Sequence, residues 1–148
     1  KRQSLKRRTP KYRLMAKIQT RSQAIKKLDK VFSLYIRQRA ADNFGMVDCY
    51  TCGKRKHWKE VDAGHFQSRA KFSTRWDDQN VKAQCKHCNM TNGGQQYQFG
   101  LMLDQEYGEG MAEKVLIRSN QMVKYSLPDL RIMIDAYKAK VKSFGFTR

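Results

Sequence analysis

The sequence is poor in acidic residues, in proline and in long apolar runs. It has 13 Asp and Glu residues against 31 Lys and Arg, which gives a formal net charge of +18. A charge this large predicts a polyanionic partner, most simply nucleic acid. No apolar run approaches the roughly 20 residues that a membrane-spanning helix needs. The basic N-terminus also lacks the apolar segment of a secretory signal, so we expect one domain in the cytoplasm with no membrane partner.

The N-terminal segment carries positive charge without compensation, because the first acidic residue in the chain is Asp29. We expect residues 1–20 to form a basic arm. Such a block is either a solvated tail or an arm that lies along phosphates, and both interpretations stay open. In the second interpretation the predicted DNA contacts are Arg7, Arg8, Lys11 and Arg13.

All four cysteines lie in two C-x2-C pairs, Cys49 with Cys52 and Cys85 with Cys88. Two such pairs can complete a tetrahedral, all-cysteine zinc site. In a chain with no export signal the spacing favours metal thiolates over disulfides. A four-cysteine site leaves no position open to substrate, so this zinc ion is predicted to be structural. Any chemistry then depends on His65 and Asn89, which we expect the zinc site to bring together.

Periodicity predicts a mixed α+β chain. A capping box at residues 20–23 opens a helix over residues 21–41. Short strands are expected over residues 46–50 and 58–66, the second ending at His65. Residues 80–84 lead into the second cysteine pair, and a short helix follows to residue 92. Further helices are predicted over 95–107, 111–120 and 127–144, and the apolar stripe of the last is typical of core packing or of a dimer seam.

Hydrolysis of a phosphodiester needs a base near neutral pH and a divalent cation. His65 suits the first role because a histidine of ordinary pKa is mostly neutral at pH 7. Asp62 and Asn89 can supply the oxygen ligands that magnesium prefers. In a regular strand Asp62 and His65 point to opposite faces. We expect a bulge or turn at Ala63–Gly64 to bring them together, since glycine makes such a kink easy.

The pattern resembles the HNH, or ββα-metal, nucleases that carry a structural zinc ion. Those enzymes have a C-x2-C pair, a histidine ending a strand, an asparagine, a second C-x2-C pair and then His or Asn. The corresponding residues here are Cys49, Cys52, His65, Asn80, Cys85, Cys88 and Asn89. The second C-x2-C pair, which is followed directly by Asn89, is also similar to that of endonuclease VII, a zinc-bearing Holliday-junction resolvase. The resemblance implies a ββα-metal core in which His65 is the general base, Asn80 braces its loop and Asn89 binds catalytic Mg²⁺ or Mn²⁺.

A narrower resemblance is to the phage NinG (Rap) recombination nucleases. It rests on the segments Asp62-Ala63-Gly64-His65-Phe66, Arg75-Trp76-Asp77, Asn80-Val81, Gln84-Cys85 and Cys88-Asn89. It covers roughly residues 31–107, with weaker similarity through the last helix. The family implies a structure-selective endonuclease that cleaves branched recombination intermediates, such as Holliday junctions and D-loops, in the bacterial cytoplasm. Because a four-way junction is resolved by two nicks, we also expect a homodimer.

We therefore expect a single α+β nuclease domain over residues 21–148. It comprises the helix over 21–41, a zinc-stabilised HNH core over 46–94 and a helical region over 95–148. Basic residues interleaved with aromatics after His65 are predicted to contact the DNA backbone, namely Arg69, Lys71 and Arg75.

One position departs from the HNH pattern. Many of those enzymes place an aspartate directly before the histidine as a metal ligand, and this chain has Gly64 there. Either Asp62 substitutes as the ligand, or Asn89 and water hold the metal with another group such as Asp77 or Asp78. Two other functions also stay open. One is a non-catalytic zinc-containing DNA- or RNA-binding module, and the other is a less selective HNH nicking enzyme.

Overall fold

A computed structural model describes residues 20–146 of the chain. The elements in chain order are α1 (Arg21–Arg39), β1 (Met46–Asp48), β2 (Arg55–His57), β3 (Val61–His65), β4 (Val81–Cys85), α2 (Gln96–Tyr107), α3 (Met111–Ser119) and α4 (Leu127–Ser143). A one-turn π-helix over His87–Thr91, here called the knuckle helix, follows β4. The predicted α+β class is confirmed. The proposed DNA contacts Arg7, Arg8, Lys11 and Arg13 lie outside the described residues. Within residues 20–146 no helix is both long and apolar enough to cross a membrane.

Side-chain caps fix where the two longest helices begin. The Thr20 hydroxyl accepts a hydrogen bond from the Gln23 N–H at 3.2 Å, and the Gln23 side chain accepts from the Thr20 N–H. Ser126 and Asp129 form the same reciprocal pair at the start of α4. The first N–H groups of a helix have no partner within it, so these caps select the starting residue. The capping box predicted at residues 20–23 is thereby confirmed.

The main core forms where α1 packs against α4 and the β3–β4 hairpin. Its buried members are Ala24, Leu28, Phe32, Tyr35, Ile36, Trp76, Val81, Leu130 and Ile134. Tyr137 of α4 meets Phe32 edge-on, with ring centroids 4.9 Å apart. The apolar stripe of α4 therefore packs in the core of this chain.

Four short strands form two separate antiparallel pairs, β1 with β2 and β3 with β4. The prediction missed β2 and began the next strand too early. Residues Trp58–Glu60 form a 3-10 turn, so β3 begins at Val61. Its register with β4 is one-to-one from Val61 opposite Cys85 to His65 opposite Val81. The bulge expected at Ala63–Gly64 was wrong, because every residue of β3 has a single partner.

The β3–β4 hairpin is covered on both faces. On one face Ala63 packs against the core and lines a cleft with His65 and residues of α1. On the other face Lys82 donates to Glu106 of α2 at 3.0 Å, and Gln84 contacts the loop before α2. Asp62 and Gly64 share this second face, since residues alternate along a strand. The hairpin thus divides the predicted site residues between its two faces.

Candidate functional site

The four cysteines converge at one point beside the hairpin. Their sulfur atoms all lie within 4.8 Å of one another, and Cys52 Sγ is 3.9 Å from Cys85 Sγ. A tetrahedral zinc ion with Zn–S bonds of about 2.3 Å places its sulfurs roughly 3.8 Å apart. The first pair closes tightly, because the Gly53 N–H donates to the Cys49 carbonyl at 2.8 Å and Gly53 has φ +69°. The cluster can therefore hold a zinc ion, as the sequence predicts.

Backbone groups favour the thiolate form at one of these positions. Burial raises the pKa of Cys49, but the N–H groups of Cys85, Cys52 and Thr51 outweigh it and lower that pKa to about 6. The Cys85 N–H lies 3.2 Å from Cys49 Sγ. Burial raises the pKa of Cys88 to about 12. A bound cation is what would deprotonate the remaining thiols, so the donor set suits zinc.

His65 ends β3 with its imidazole held by the following loop. Its Nε2 lies 3.1 Å from the Arg75 carbonyl oxygen. A carbonyl only accepts, so Nε2 carries the proton in this contact and the other nitrogen of the neutral ring is unprotonated. Burial lowers the pKa of His65 and outweighs the carbonyls of Arg75 and Ala63, which raise it. The imidazole is therefore neutral at pH 7, the form in which a histidine can accept a proton.

Asn80 ties together the loop that supplies this carbonyl. Its side chain is fully buried between β3 and β4. Oδ1 accepts from the Gln67 N–H at 2.6 Å, and Nδ2 donates to the carbonyls of Gln67 and Thr74 at 3.0 Å each. Both ends of the segment from residue 67 to 74 are thereby anchored at one side chain. The predicted catalytic importance of Asn80 would act through this bracing.

Asp29 of α1 is a second brace, which the sequence analysis did not identify. Its carboxylate accepts Arg75 Nε at 2.9 Å, Arg75 Nη2 at 2.6 Å and Trp76 Nε1 at 2.9 Å. It therefore holds Arg75, whose carbonyl contacts His65, together with the neighbouring Trp76. Asp29 is the first acidic residue after a long basic stretch, and it lies close to the apolar positions of α1. These two features could have indicated that its carboxylate pairs within the fold.

The basic residues of the loop differ in their freedom to bind DNA. The Arg75 side chain is 13% exposed and is engaged by Asp29 and the Arg69 carbonyl. Its guanidinium is thus used within the fold, and the phosphate contact of Arg75 stays a prediction. Arg69 and Lys71 are exposed and make only longer contacts, Arg69 to Asp29 at 3.3 Å and Lys71 to Asn120 at 3.1 Å.

Replacement of Asp29 by asparagine should destabilise the fold by about 2 kcal/mol at pH 7, since it removes charge-assisted acceptors for Arg75 and Trp76. Burial raises the pKa of Asp29, but Arg75, Trp76 and Arg69 lower it below its ordinary value. The carboxylate therefore stabilises the folded state above about pH 4 and loses this effect as pH falls through the lowered pKa.

Thermal unfolding of wild type and Asp29→Asn between pH 3 and 8 measures this difference. Asp135→Asn is the matched control, because the Asp135 side chain is 77% exposed and pairs only with Lys138 within the described part of the chain. We expect the difference in melting temperature between wild type and Asp29→Asn to be constant from pH 5 to 8 and to become smaller below pH 4. If Asp29→Asn lowers the melting temperature no more than Asp135→Asn does, the bracing role of Asp29 would be contradicted.

Asp62 and Asn89 meet on the opposite face of the hairpin. Asn89 Nδ2 donates to Asp62 Oδ2 at 3.2 Å, and both residues are half-buried. Asn89 Oδ1 lies toward Gly64, 3.1 Å from where a Cβ on that residue would stand. Because β3 is regular, His65 lies on the other face of the strand, toward α1, and Asn89 lies beside Gly64. Asp62 is instead the residue that the fold places beside Asn89.

The alternative metal ligands are occupied elsewhere. Arg118 Nη2 lies 2.7 Å from Asp77 Oδ2, and Arg39 forms an ion pair with Asp78. Both carboxylates thus serve to attach the loop before β4 to neighbouring helices. Of the aspartates considered, Asp62 is the one positioned to share a cation with Asn89.

Comparisons with known proteins place the chain among phage proteins. It matches over residues 1–145 the model of the family described as Bacteriophage Lambda NinG protein. Relatives named protein ninG include those of Escherichia phage 933W, at 25% identity over 132 residues, and of Salmonella phage P22 and Escherichia phage lambda, both at 24%. The matches cover 88% of this chain and 62–63% of those relatives, so it spans less than two thirds of their length. No solved structure matches the chain significantly.

Proposed function

The chain belongs to the NinG family of bacteriophage proteins, and from this and the site geometry we propose that it is a metal-dependent endodeoxyribonuclease of HNH type. Its proposed substrates are branched recombination intermediates such as Holliday junctions and D-loops. The observation that carries the proposal is a neutral histidine on one face of β3 and the Asp62–Asn89 pair on the other, next to a four-cysteine cluster. The β3–β4 hairpin and the knuckle helix would then form the ββα-metal core.

A substrate shared by both groups must reach them across the edge of β3. Within residues 20–146, β3 has a strand partner on one side only. Gly64 faces Asn89, and His65 is the next residue, about 3.4 Å along the strand and on the other face. A phosphodiester that lies across the free edge would meet His65 on one side and the Asp62–Asn89 pair on the other. His65 and the Asp62–Asn89 pair could therefore act on one phosphate although they lie on opposite faces of β3.

The residues divide the chemistry as follows. His65 accepts the proton of the attacking water, with its ring oriented by the Arg75 carbonyl. Asp62 and Asn89 offer hard oxygen ligands that fit Mg²⁺ or Mn²⁺. Such an ion, when bound, stabilises charge on the phosphate and on the departing 3′ oxygen. The cysteine cluster, with zinc bound, keeps the knuckle helix and Asn89 against the hairpin.

Binding of DNA is expected to be driven by charge and to be independent of sequence. The net charge of +18 favours contact with phosphates. Arg69, which lines the same cleft as His65, and Lys71 are both exposed, and the basic arm would add further contacts. Two nicks at a four-way junction need two sites, so we propose that a homodimer acts in the cytoplasm of the bacterial host.

A non-catalytic zinc-containing DNA- or RNA-binding module is the second candidate. It is favoured by the fact that His65 and Asn89 both have partners within the fold, Arg75 and Asp62 respectively. Such contacts would suffice if the two residues only supported the structure. A less selective nicking enzyme is the third candidate, and it differs from the first in substrate choice alone.

Cleavage of end-labelled four-way, three-way and linear duplex DNA, singly and in competition, separates the three candidates. Each substrate is incubated with the zinc-loaded protein and Mg²⁺, Mn²⁺ or EDTA. We expect cation-dependent paired nicks in the four-way junction and little cleavage of the linear duplex. Equal cleavage of all substrates would indicate the nicking enzyme. Binding without cleavage under every cation would indicate the non-catalytic module.

A further inference from the structure

Gln84 carries a buried side-chain oxygen with no partner. The residue is fully buried in β4, on the same hairpin face as Asp62 and Gly64. Its Nε2 donates to Thr51 Oγ1 at 3.0 Å and to the Gly94 carbonyl at 2.9 Å. Because a carbonyl only accepts, the amide nitrogen must face Gly94, and this sets the orientation of the amide. Oε1 then points away from both partners and has no hydrogen bond within the described residues.

This oxygen occupies the space of a side chain that Gly64 lacks. A Cβ on Gly64 would stand 1.9 Å from Gln84 Oε1 and 3.1 Å from Asn89 Oδ1. Any side chain at residue 64 would therefore overlap the Gln84 amide. The φ of Gly64 lies outside the left-handed region, so the glycine is required here for room rather than for backbone conformation. The absent side chain leaves room for the Gln84 oxygen beside the position that Asn89 Oδ1 also borders.

Buried polar atoms are rarely left unpaired. Gln84 Oε1 and Asn89 Oδ1 both border the Gly64 position, and Asn89 also contacts the Asp62 carboxylate. Two amide oxygens and one carboxylate form a hard donor set of the kind that Mg²⁺ and Mn²⁺ prefer. A cation held by this set would satisfy the unpaired Gln84 oxygen.

We propose that Gln84 Oε1 is the third protein ligand of the divalent-cation site, together with Asn89 Oδ1 and Asp62. The inference rests on the proposed function for the purpose of the ion, and it adds a ligand from β4. Gln84 forms the buried side of the site, whereas Asp62 and Asn89 are half-buried and lie on its open side. A substrate phosphate would approach from that open side.

Binding of Mn²⁺ to the zinc-loaded full chain, measured by electron paramagnetic resonance of the free ion, tests the ligand role without any cleavage assay. Gln84→Leu and Gln84→Glu are a matched pair. Both lose the donation to the Gly94 carbonyl. The glutamate can still accept from the Thr51 hydroxyl and keeps an oxygen ligand, whereas the leucine has neither. We expect Gln84→Leu to weaken Mn²⁺ binding by at least about tenfold, and Gln84→Glu to bind at least as tightly as wild type.

A double variant that moves the oxygen ligand from residue 84 to residue 64 keeps the test decisive if either single change at Gln84 disturbs the fold. Gly64→Asp alone should overlap Gln84, whereas Gly64→Asp combined with Gln84→Ala supplies a carboxylate in the vacated space. We expect the double variant to recover Mn²⁺ binding relative to Gln84→Ala. Equal weakening in Gln84→Leu and Gln84→Glu, with no recovery in the double variant, would overturn the proposal and assign Gln84 a purely structural role.

The outcomes for the ligand and for the nuclease are separable. Mn²⁺ binding that depends on Gln84, in a protein that cleaves no DNA, would support the site and contradict the nuclease proposal. Cation-dependent cleavage with Mn²⁺ affinity unchanged in Gln84→Leu would support the nuclease and overturn the role of Gln84. Absence of Mn²⁺ binding by the wild-type chain would also overturn the proposal that Gln84 is a cation ligand.

Discussion

Replacement of His65 by alanine should reduce the single-turnover rate of junction cleavage by about 10²–10⁴-fold, the usual contribution of a general base. The affinity for junction DNA should stay close to that of wild type. His65 lines a cleft of only about 100 Å³ and contacts a backbone carbonyl, so it contributes little surface to a DNA interface. The measurement pairs a cleavage assay under excess enzyme with binding of the same junction in Ca²⁺, to separate chemistry from association.

His87→Ala is the matched histidine control for this experiment. His87 is exposed in the knuckle helix, and its Nε2 lies 3.1 Å from Asn92 Nδ2. Its removal should leave the cleavage rate nearly unchanged. An active His65→Ala protein, or one that loses cleavage and binding to the same degree as a misfolded chain, would contradict a catalytic role for His65.

Replacement of Cys88 by serine should abolish zinc binding and unfold the region around the cluster. Cys88 is 2% exposed, and the cluster joins the first cysteine pair, β4 and the knuckle helix. Structural zinc sites contribute about 10 kcal/mol or more of apparent binding free energy. That is comparable to the entire stability of a domain, about 5–15 kcal/mol. Zinc content and far-UV circular dichroism of the purified variant report the two effects.

Chelation followed by add-back distinguishes the two proposed cations. Strong chelation should remove zinc and lower the melting temperature of the wild-type protein. Zn²⁺ should restore the fold, and Mg²⁺ or Mn²⁺ should then be needed in addition for cleavage. A Cys88→Ser protein that melts at the wild-type temperature, or a chelated protein whose melting temperature Mg²⁺ restores, would contradict a structural zinc site.

Local sequence signals predicted the helices and the cysteine cluster well. The capping boxes at Thr20 and Ser126 depend on residues three apart, so the sequence contains the whole interaction. The apolar stripe of α4 likewise predicted burial, although only the packing against α1 showed what it contacts. The convergence of four cysteines follows from spacing alone, since each C-x2-C pair is a local unit.

The errors involved interactions between distant parts of the chain. Strand β2 consists of Arg55, Lys56 and His57, which show no apolar alternation, and its pairing with β1 determines it. The ion pair of Arg75 with Asp29 was not predicted, because Asp29 lies 46 residues earlier in the sequence.

The arrangement of the candidate site depended on one such distant contact. A kink at Gly64 was expected from glycine's backbone freedom. The glycine instead makes room for the amide of Gln84, which comes from the neighbouring strand. The predicted kink would have placed Asp62 and His65 on one face, whereas in the regular strand they lie on opposite faces.

A pH–rate profile of junction cleavage at saturating Mn²⁺ tests most directly whether His65 is the base. Burial lowers the pKa of His65, so its neutral form dominates at pH 7 and persists below about pH 6.5. We expect a rate that is constant above neutral pH and falls about tenfold per pH unit below the lowered pKa, because the protonated ring cannot accept a proton. A rate that stays constant down to pH 4, or that rises tenfold per unit from pH 7 to 9, would contradict His65 as the general base.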